Sequence, residues 1–228
     1  MKRLTVSLTL LAAGCLVMSG CGGGGDTPPT PPTAALYFPL AVGNQWSYQA
    51  TDYTVAPATA AAHRRAFNRR TGLMRPAQVA ADYVVSLVAT ATIENTTWFA
   101  ASASFGDGTD SLRRYVRYDG TGILWKPDLD SAAYYRLKNP IVAGTTWDVP
   151  NDPARTFRIV AVGETTKVAV GTFANCLKVD DTITESGQPD DVLTSWFAPG
   201  VGLVREEERS GLTLIYSSEL KQYHLAGQ

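Results

Sequence analysis

The chain has 228 residues, 45% of them hydrophobic and 18% charged, with a formal net charge of −1. That length fits one domain or two small ones, and the apolar share is enough for a packed core. The near balance of 20 basic and 21 acidic residues excludes the strong basic excess of a nucleic-acid binder.

The chain opens with Met1-Lys2-Arg3, a short positive segment. An uncharged, mostly apolar stretch follows from Leu4 to Met18, then the small residues Ser19 and Gly20, then Cys21. This is the three-part plan of a secretory signal, and the apolar stretch is short for a membrane span. A cysteine at the cleavage point resembles the lipobox of bacterial lipoproteins. That resemblance implies a signal peptide over 1–20, a diacylglycerol on the sulfur of Cys21 and acylation of its new amino group. Met18 departs from the pattern, where Leu or Val is commoner. Cys15 is a second candidate, but cleavage there would leave Leu16, Val17 and Met18 as an apolar stub. An uncleaved anchor, or a soluble export signal with an incidental cysteine, are the other readings of the same residues. Two or three acyl chains give durable membrane attachment, at about 0.8 kcal/mol per buried methylene. Gly22 stands where lipoproteins retained at an inner membrane usually carry Asp, so the resemblance implies the outer membrane. Losing Lys2 and Arg3 leaves 18 basic residues against 21 acidic ones, a net charge of −3. Cys176 is then the one thiol beside Cys21, so exported oxidising surroundings offer it no intramolecular partner.

Residues 22–33, GGGGDTPPTPPT, form a tether that completes a linker over 21–35. Glycines resist ordering, and Pro-Pro pairs favour extended geometry. No GK[ST] follows the glycines, so they are not a phosphate loop. From Leu36 to the end the pattern predicts one all-β domain of roughly ten antiparallel strands, as a curved sheet, sandwich or open barrel. Tyr83 to Ile93, Arg155 to Val162 and Leu212 to Leu220 alternate with period two. Asp107-Gly108, Asp119-Gly120, Gly163-Glu164 and Pro199-Gly200 read as turns between such runs. Ala58 to Arg70, ATAAAHRRAFNRR, is the exception. Its alanines and arginines favour a short helix, which Thr71-Gly72 would end, or else it is a loop insertion near 58–72.

PLAVGNQWSY (39–48) and NPIVAGTTWDV (139–149) look alike. Each places a glycine three residues before a tryptophan that opens a strand, which suggests a weak internal duplication. In APGVG, Pro199 presets φ at the first turn position and Gly200 permits positive φ at the second, so a type II turn is predicted. Three blocks, YFPLAVGNQWSY (37–48), VAVGTFANCLKV (168–179) and WFAPGVGLVREE (196–207), together resemble a group of uncharacterised bacterial envelope lipoproteins. The resemblance implies an exported β-rich domain and no particular activity.

Candidate chemistry is sparse. Cys176 shares parity with Lys178, Asp180 and Thr182, which suggests a more polar face and makes it a possible reactive thiol. The acidic pairs Asp107/Asp110, Asp128/Asp130 and Asp190/Asp191 suit solvated turns, with calcium as the alternative. There is no GxSxG, CxxC, HExxH or EF-hand loop, so no metal or cofactor is expected. Arg64, Arg65, Arg69, Arg70 and Arg75 concentrate positive charge, as a solvated loop or as a contact with anionic lipid or polysaccharide. Five tryptophans and ten tyrosines permit an aromatic-lined cavity and serve equally well as core. The expected function is therefore a membrane-anchored binding or scaffold module for an apolar ligand or an envelope protein partner. The periplasmic carriers of lipoproteins, curved sheets that hold acyl chains, offer an analogy of fold. An envelope enzyme using Cys176 or an acidic pair is the alternative.

Overall fold

The computed structural model describes residues 32–53, 80–105 and 110–227, with backbone alone for 80, 81, 105 and 110–113. Cys15, Cys21, the insertion near 58–72 and Arg64, Arg65, Arg69, Arg70 and Arg75 lie outside the described residues. So do Asp107 and the side chain of Asp110.

After a short 3₁₀ turn at Ala34–Tyr37 come β1 (Gln45–Asp52), β2 (Ala80–Ile93), β3 (Thr96–Phe105), β4 (Asp110–Tyr118), β5 (Gly122–Lys126) and β6 (Tyr134–Lys138). Then follow β7 (Thr146–Val149), β8 (Asp152–Val168), β9 (Gly171–Ile183), β10 (Asp191–Ala198), β11 (Gly202–Ser210) and β12 (Thr213–His224). They form one sheet in the order β6-β5-β4-β3-β2-β1-β12-β11-β10-β9-β8-β7. The chain thus makes two up-and-down meanders, β1–β6 and β7–β12, joined by the antiparallel β1–β12 ladder.

The two edge strands of that order come back together. Trp147 Nε1 on β7 donates to the Tyr135 carbonyl on β6 at 2.9 Å. Arg136 on β6 donates to Asp181 on β9 and to Glu206 on β11. A flat sheet cannot make these contacts, so of the three predicted shapes the chain adopts the open barrel, with its seam between β6 and β7. Bringing the two edge strands close together shields part of the edges that would otherwise invite aggregation.

Alternation explains which side chains fill the barrel. On β8, Arg155, Phe157 and Ile159 are buried while Thr156, Arg158 and Val160 are exposed. Phe157 and Phe197 are almost wholly sealed from water, and burial of such a side chain contributes about 1.5–3 kcal/mol. A smaller cluster, Trp98, Ala100, Tyr115 and Leu124, packs on the outer face of β3–β5. The N-terminal segment crosses one end of the barrel. Its Ala34 amide donates to Asn139 Oδ1 at 2.9 Å, and its Leu36 carbonyl accepts from the Gly200 amide at 2.7 Å. Among the described residues, Ala34 already packs against the sheet.

The two similar stretches are structurally equivalent. Gly43 N donates to Leu87 O at 2.8 Å and Leu87 N to Asn44 O at 2.9 Å; Gly144 N donates to Ile159 O at 2.8 Å and Ile159 N to Thr145 O at 2.9 Å. Both glycines have positive φ, +96° and +92°. The Asn44 amide group and the Thr145 hydroxyl each reach back to a proline carbonyl, Pro39 at 3.0 Å and Pro140 at 3.3 Å. Bulges follow at matching places, between Leu87 and Ala89 and between Ile159 and Ala161. Each meander is thus entered through the same device, a left-handed glycine that docks the loop on the second strand and turns a tryptophan inward.

The twelve strands among the described residues fit the expected antiparallel all-β sheet of roughly ten; β5, β6 and β7 have only five, five and four residues, too few for a visible period. Two expectations need correction. Gly163-Glu164 is not a turn: β8 runs through it to Val168, and positive φ at Gly163 forms a bulge instead. Leu212 does not share the buried face of β12. It sits in the β11–β12 turn, 97% exposed.

Candidate functional site

Inside the barrel lies a partly enclosed cavity of about 110 Å³. One water needs roughly 10–15 Å³ of that space, so the cavity accommodates several waters or a slim apolar group. Both meanders supply its walls. Trp46, Val85, Leu87, Ala101 and Trp125 come from β1–β5, Leu193, Phe197 and Leu203 from β10 and β11, and Phe38 from the N-terminal segment. Phe38 holds three rings together, with centres 6.3 Å from Trp46, 6.2 Å from Trp125 and 6.5 Å from Phe197. Offset and edge-on pairs of this kind add about 0.5–1.5 kcal/mol each beyond their buried area. Trp46 Nε1 donates to the Val201 carbonyl at 2.7 Å, so the ring presents its apolar body to the cavity without leaving its N–H unpaired.

One wall is polar. Tyr48, Tyr83, Arg114, Tyr134, Arg136 and Glu206 line it. Tyr48 and Tyr83 stack with centres 5.0 Å apart, and their hydroxyls bond the Leu203 carbonyl and Ser218 Oγ at 3.0 Å each. Burial raises both phenols far above their ordinary range, so they act as neutral hydroxyls. Arg136 Nη2 donates to Glu206 Oε1 at 2.8 Å and to Ser195 Oγ at 2.8 Å, and Nη1 reaches Asp181 Oδ2 at 3.5 Å. Burial raises the Glu206 carboxyl above its usual range, against the pull of Arg136. Behind this wall Arg155 grips Asp181 with two bonds, Nε to Oδ1 at 2.9 Å and Nη2 to Oδ2 at 2.8 Å. Desolvation disfavours the Arg155 cation, but Asp181 and Tyr134 together more than offset it and the pKa is raised.

Arg114 differs from these two. Its residue is only 7% exposed, yet its Nη2 has no hydrogen-bond partner. Its guanidinium carbon lies 5.5 Å from the Trp125 ring centre. Burial lowers its pKa to about 10, which still leaves it charged at neutral pH.

Cys176 does not lie on a polar face. It is 0% exposed and belongs to the main core cluster. Cys176 and the adjacent Leu177 are both fully buried, so parity with Lys178 does not decide its exposure. Lys178 lies on the outer face, with Nζ 5.2 Å from the Trp196 ring centre. The Cys176 thiol donates to the Phe173 carbonyl at 3.4 Å, and burial pushes its pKa up, the opposite of what a nucleophile needs. Asp128 closes its own turn by accepting from the Asp130 and Ser131 amides and the Ser131 hydroxyl. Among the described residues no three His, Cys, Asp or Glu side chains converge as a metal site.

The polar wall escaped the sequence reading, although a signal was there. Arg155 shares parity with Phe157 and Ile159, Asp181 with Val179 and Ile183, and Glu206 and Glu208 with Val204, all buried. A charge at the apolar parity of a strand marks a buried charge, and buried charges need partners.

No family model matches the chain, and no curated protein does. Among solved structures it is similar to a protein from Bacteroides fragilis, taken to be exported and described as having a YmcC-like fold. That alignment has 13% identity, covers 83% of this chain and 99% of the other, and has a TM-score of 0.44. It is also similar to a protein from Parabacteroides distasonis taken to be a lipoprotein, at 14% identity, covering 83% and 98% of the two chains with a TM-score of 0.43. At these scores the likeness is partial, and neither protein carries a function over to this chain.

Proposed function

We propose that the chain is a lipid-anchored protein of the bacterial cell envelope whose open barrel holds an apolar ligand. The observation that carries the binding role is the cavity itself. Protein interiors are normally packed to the density of organic crystals, yet this core leaves a partly open space walled by aromatic and aliphatic side chains from both meanders. The leader residues support the anchor. Lys2 and Arg3, the apolar run and Cys21 make the lipobox pattern, and Gly22 favours the outer membrane. Arg64, Arg65, Arg69, Arg70 and Arg75 suit contact with anionic lipid at that surface, where each basic residue contributes about 1 kcal/mol.

The full chain, extracted in mild detergent and examined by native mass spectrometry, should carry an apolar adduct. Val85→Trp, at a half-buried wall position, should fill the space and remove it. A wild-type chain with no adduct would overturn the ligand role and leave a scaffold for an envelope protein partner. Labelling with a palmitate analogue tests the anchor: it should be lost in Cys21→Ala and kept in Cys15→Ala.

A further inference from the structure

We propose that Arg114 is the anion-binding post of the cavity and that the ligand is a single-chain carboxylate, its head on the guanidinium and its chain against the aromatic wall. This rests on reading the cavity as a ligand site.

The argument starts from unequal partnering. Three arginines, Arg114 on β4, Arg136 on β6 and Arg155 on β8, point into the barrel. Arg155 is taken by Asp181 through two bonds, and Arg136 bridges Glu206 and Asp181. Among the described residues Arg114 has no ion-pair partner, and its buried Nη2 has no acceptor. Buried donors are almost always satisfied, and an exception needs a reason. Here the orphaned donor belongs to a cation that lines an open cavity, so an acceptor in the cavity would complete it.

The surroundings define that acceptor. The groups acting on Arg114 are Tyr134, Arg136, Glu206 and Tyr83. Glu206 already accepts from Arg136 and Ser195, and burial keeps the Tyr83 phenol neutral. An entering monoanion therefore meets two guanidinium groups and one engaged carboxylate. A carboxylate matches the planar fork of arginine with two parallel bonds. The remaining wall, Phe38, Trp46, Leu87, Trp125, Phe197 and Leu203, is mainly apolar; the Trp46 indole N–H is engaged, and the buried Trp125 Nε1 has no hydrogen-bond partner. One charged end and one apolar end specify an amphiphile with a single small head.

The test uses native mass spectrometry of the full chain in a non-ionic detergent with decanoate, decanol or decyl phosphate. Decanoate should bind about ten- to a hundredfold more tightly than decanol, the range expected of a charge-assisted hydrogen bond. Arg114→Gln should bind the two equally, and Arg114→Lys should restore part of the preference. Equal binding of decanoate and decanol to wild type, or a preference for decyl phosphate, overturns the carboxylate assignment while the cavity reading stands, provided Val85→Trp blocks both. Binding of neither decanoate nor decanol overturns the cavity reading and this one with it. Should Arg114→Gln fail to fold, the wild-type ratio still decides.

Discussion

Arg155 and Asp181, on neighbouring strands β8 and β9, form a two-pronged ion pair with side chains only 3% and 1% exposed. The Arg155 guanidinium carbon also lies 4.6 Å from the Tyr134 ring centre and 5.2 Å from that of Phe157. The pair thus ties the second meander to β6, the far edge of the first. It also fixes Asp181 within reach of Arg136 as that residue's second carboxylate.

Removing one member of this pair should be far worse than removing both. Arg155→Met leaves Asp181 short of its main partner in a sealed site, and loss of one partner from a buried pair costs about 3–5 kcal/mol. Asp181→Leu should cost a similar amount and loosen Arg136 as well. The double variant should be less destabilised than the sum of the singles, because no uncompensated charge remains at that point. Urea unfolding of all four proteins measures this. Simple additivity would show that the two side chains do not act as a unit.

The duplicated entrance makes a paired prediction. Gly43 and Gly144 both require positive φ, which costs a residue with a Cβ about 1–3 kcal/mol. At Gly144 an added Cβ meets nothing within 4 Å, whereas at Gly43 it lies 3.4 Å from Ala226 Cβ. Gly144→Ala should therefore report backbone strain alone. Gly43→Ala should be at least as damaging. Thermal unfolding that found either variant as stable as wild type would remove the common role assigned to these glycines.

Long strands were legible because alternation persists over many residues, as in β2 and β8. The glycine-tryptophan spacing of the two entrances and the Pro199-Gly200 turn were equally plain; Val201 N donates to Ala198 O at 3.2 Å, with φ of +72° at Gly200. Parity failed at bulges, since one extra residue moves every later side chain to the opposite face. At Cys176 parity fails for another reason: both it and the adjacent Leu177 are sealed in the core. Closure of the barrel was not legible, because Arg136 meets Glu206 across 70 residues and no local pattern encodes that distance. The polar wall was half legible, through charges standing at apolar parity.

Glu206 sets a pH dependence. Its carboxyl is raised in the fold from an ordinary value of 4.5, so the folded protein holds this proton more tightly than the unfolded chain. Stability from this group is fully present below about pH 4.5 and is lost as pH rises toward the folded value. Asp128 acts in the opposite direction: hydrogen bonds from Ser131 lower its pKa below 3.8, so its contribution is lost in more acid solution. Glu206→Gln should leave the acid limb intact and flatten the decline above pH 4.5. Melting temperatures of the two proteins across pH 3–8 test this, and parallel curves above pH 4.5 would count against titration of Glu206 there.

Cys176 offers the last prediction. Its thiol is sealed among core side chains and held protonated by burial. Thiolate is the reactive form, so a maleimide should label the native protein only as fast as the barrel opens. Labelling should accelerate in urea along the unfolding curve measured by tryptophan fluorescence. Cys176→Ala should lower stability by about 1 kcal/mol, the usual size for a single substitution, and leave decanoate binding unchanged, since Cys176 does not line the cavity. Rapid labelling of the native protein at neutral pH would show an accessible thiolate and reopen catalysis at this residue.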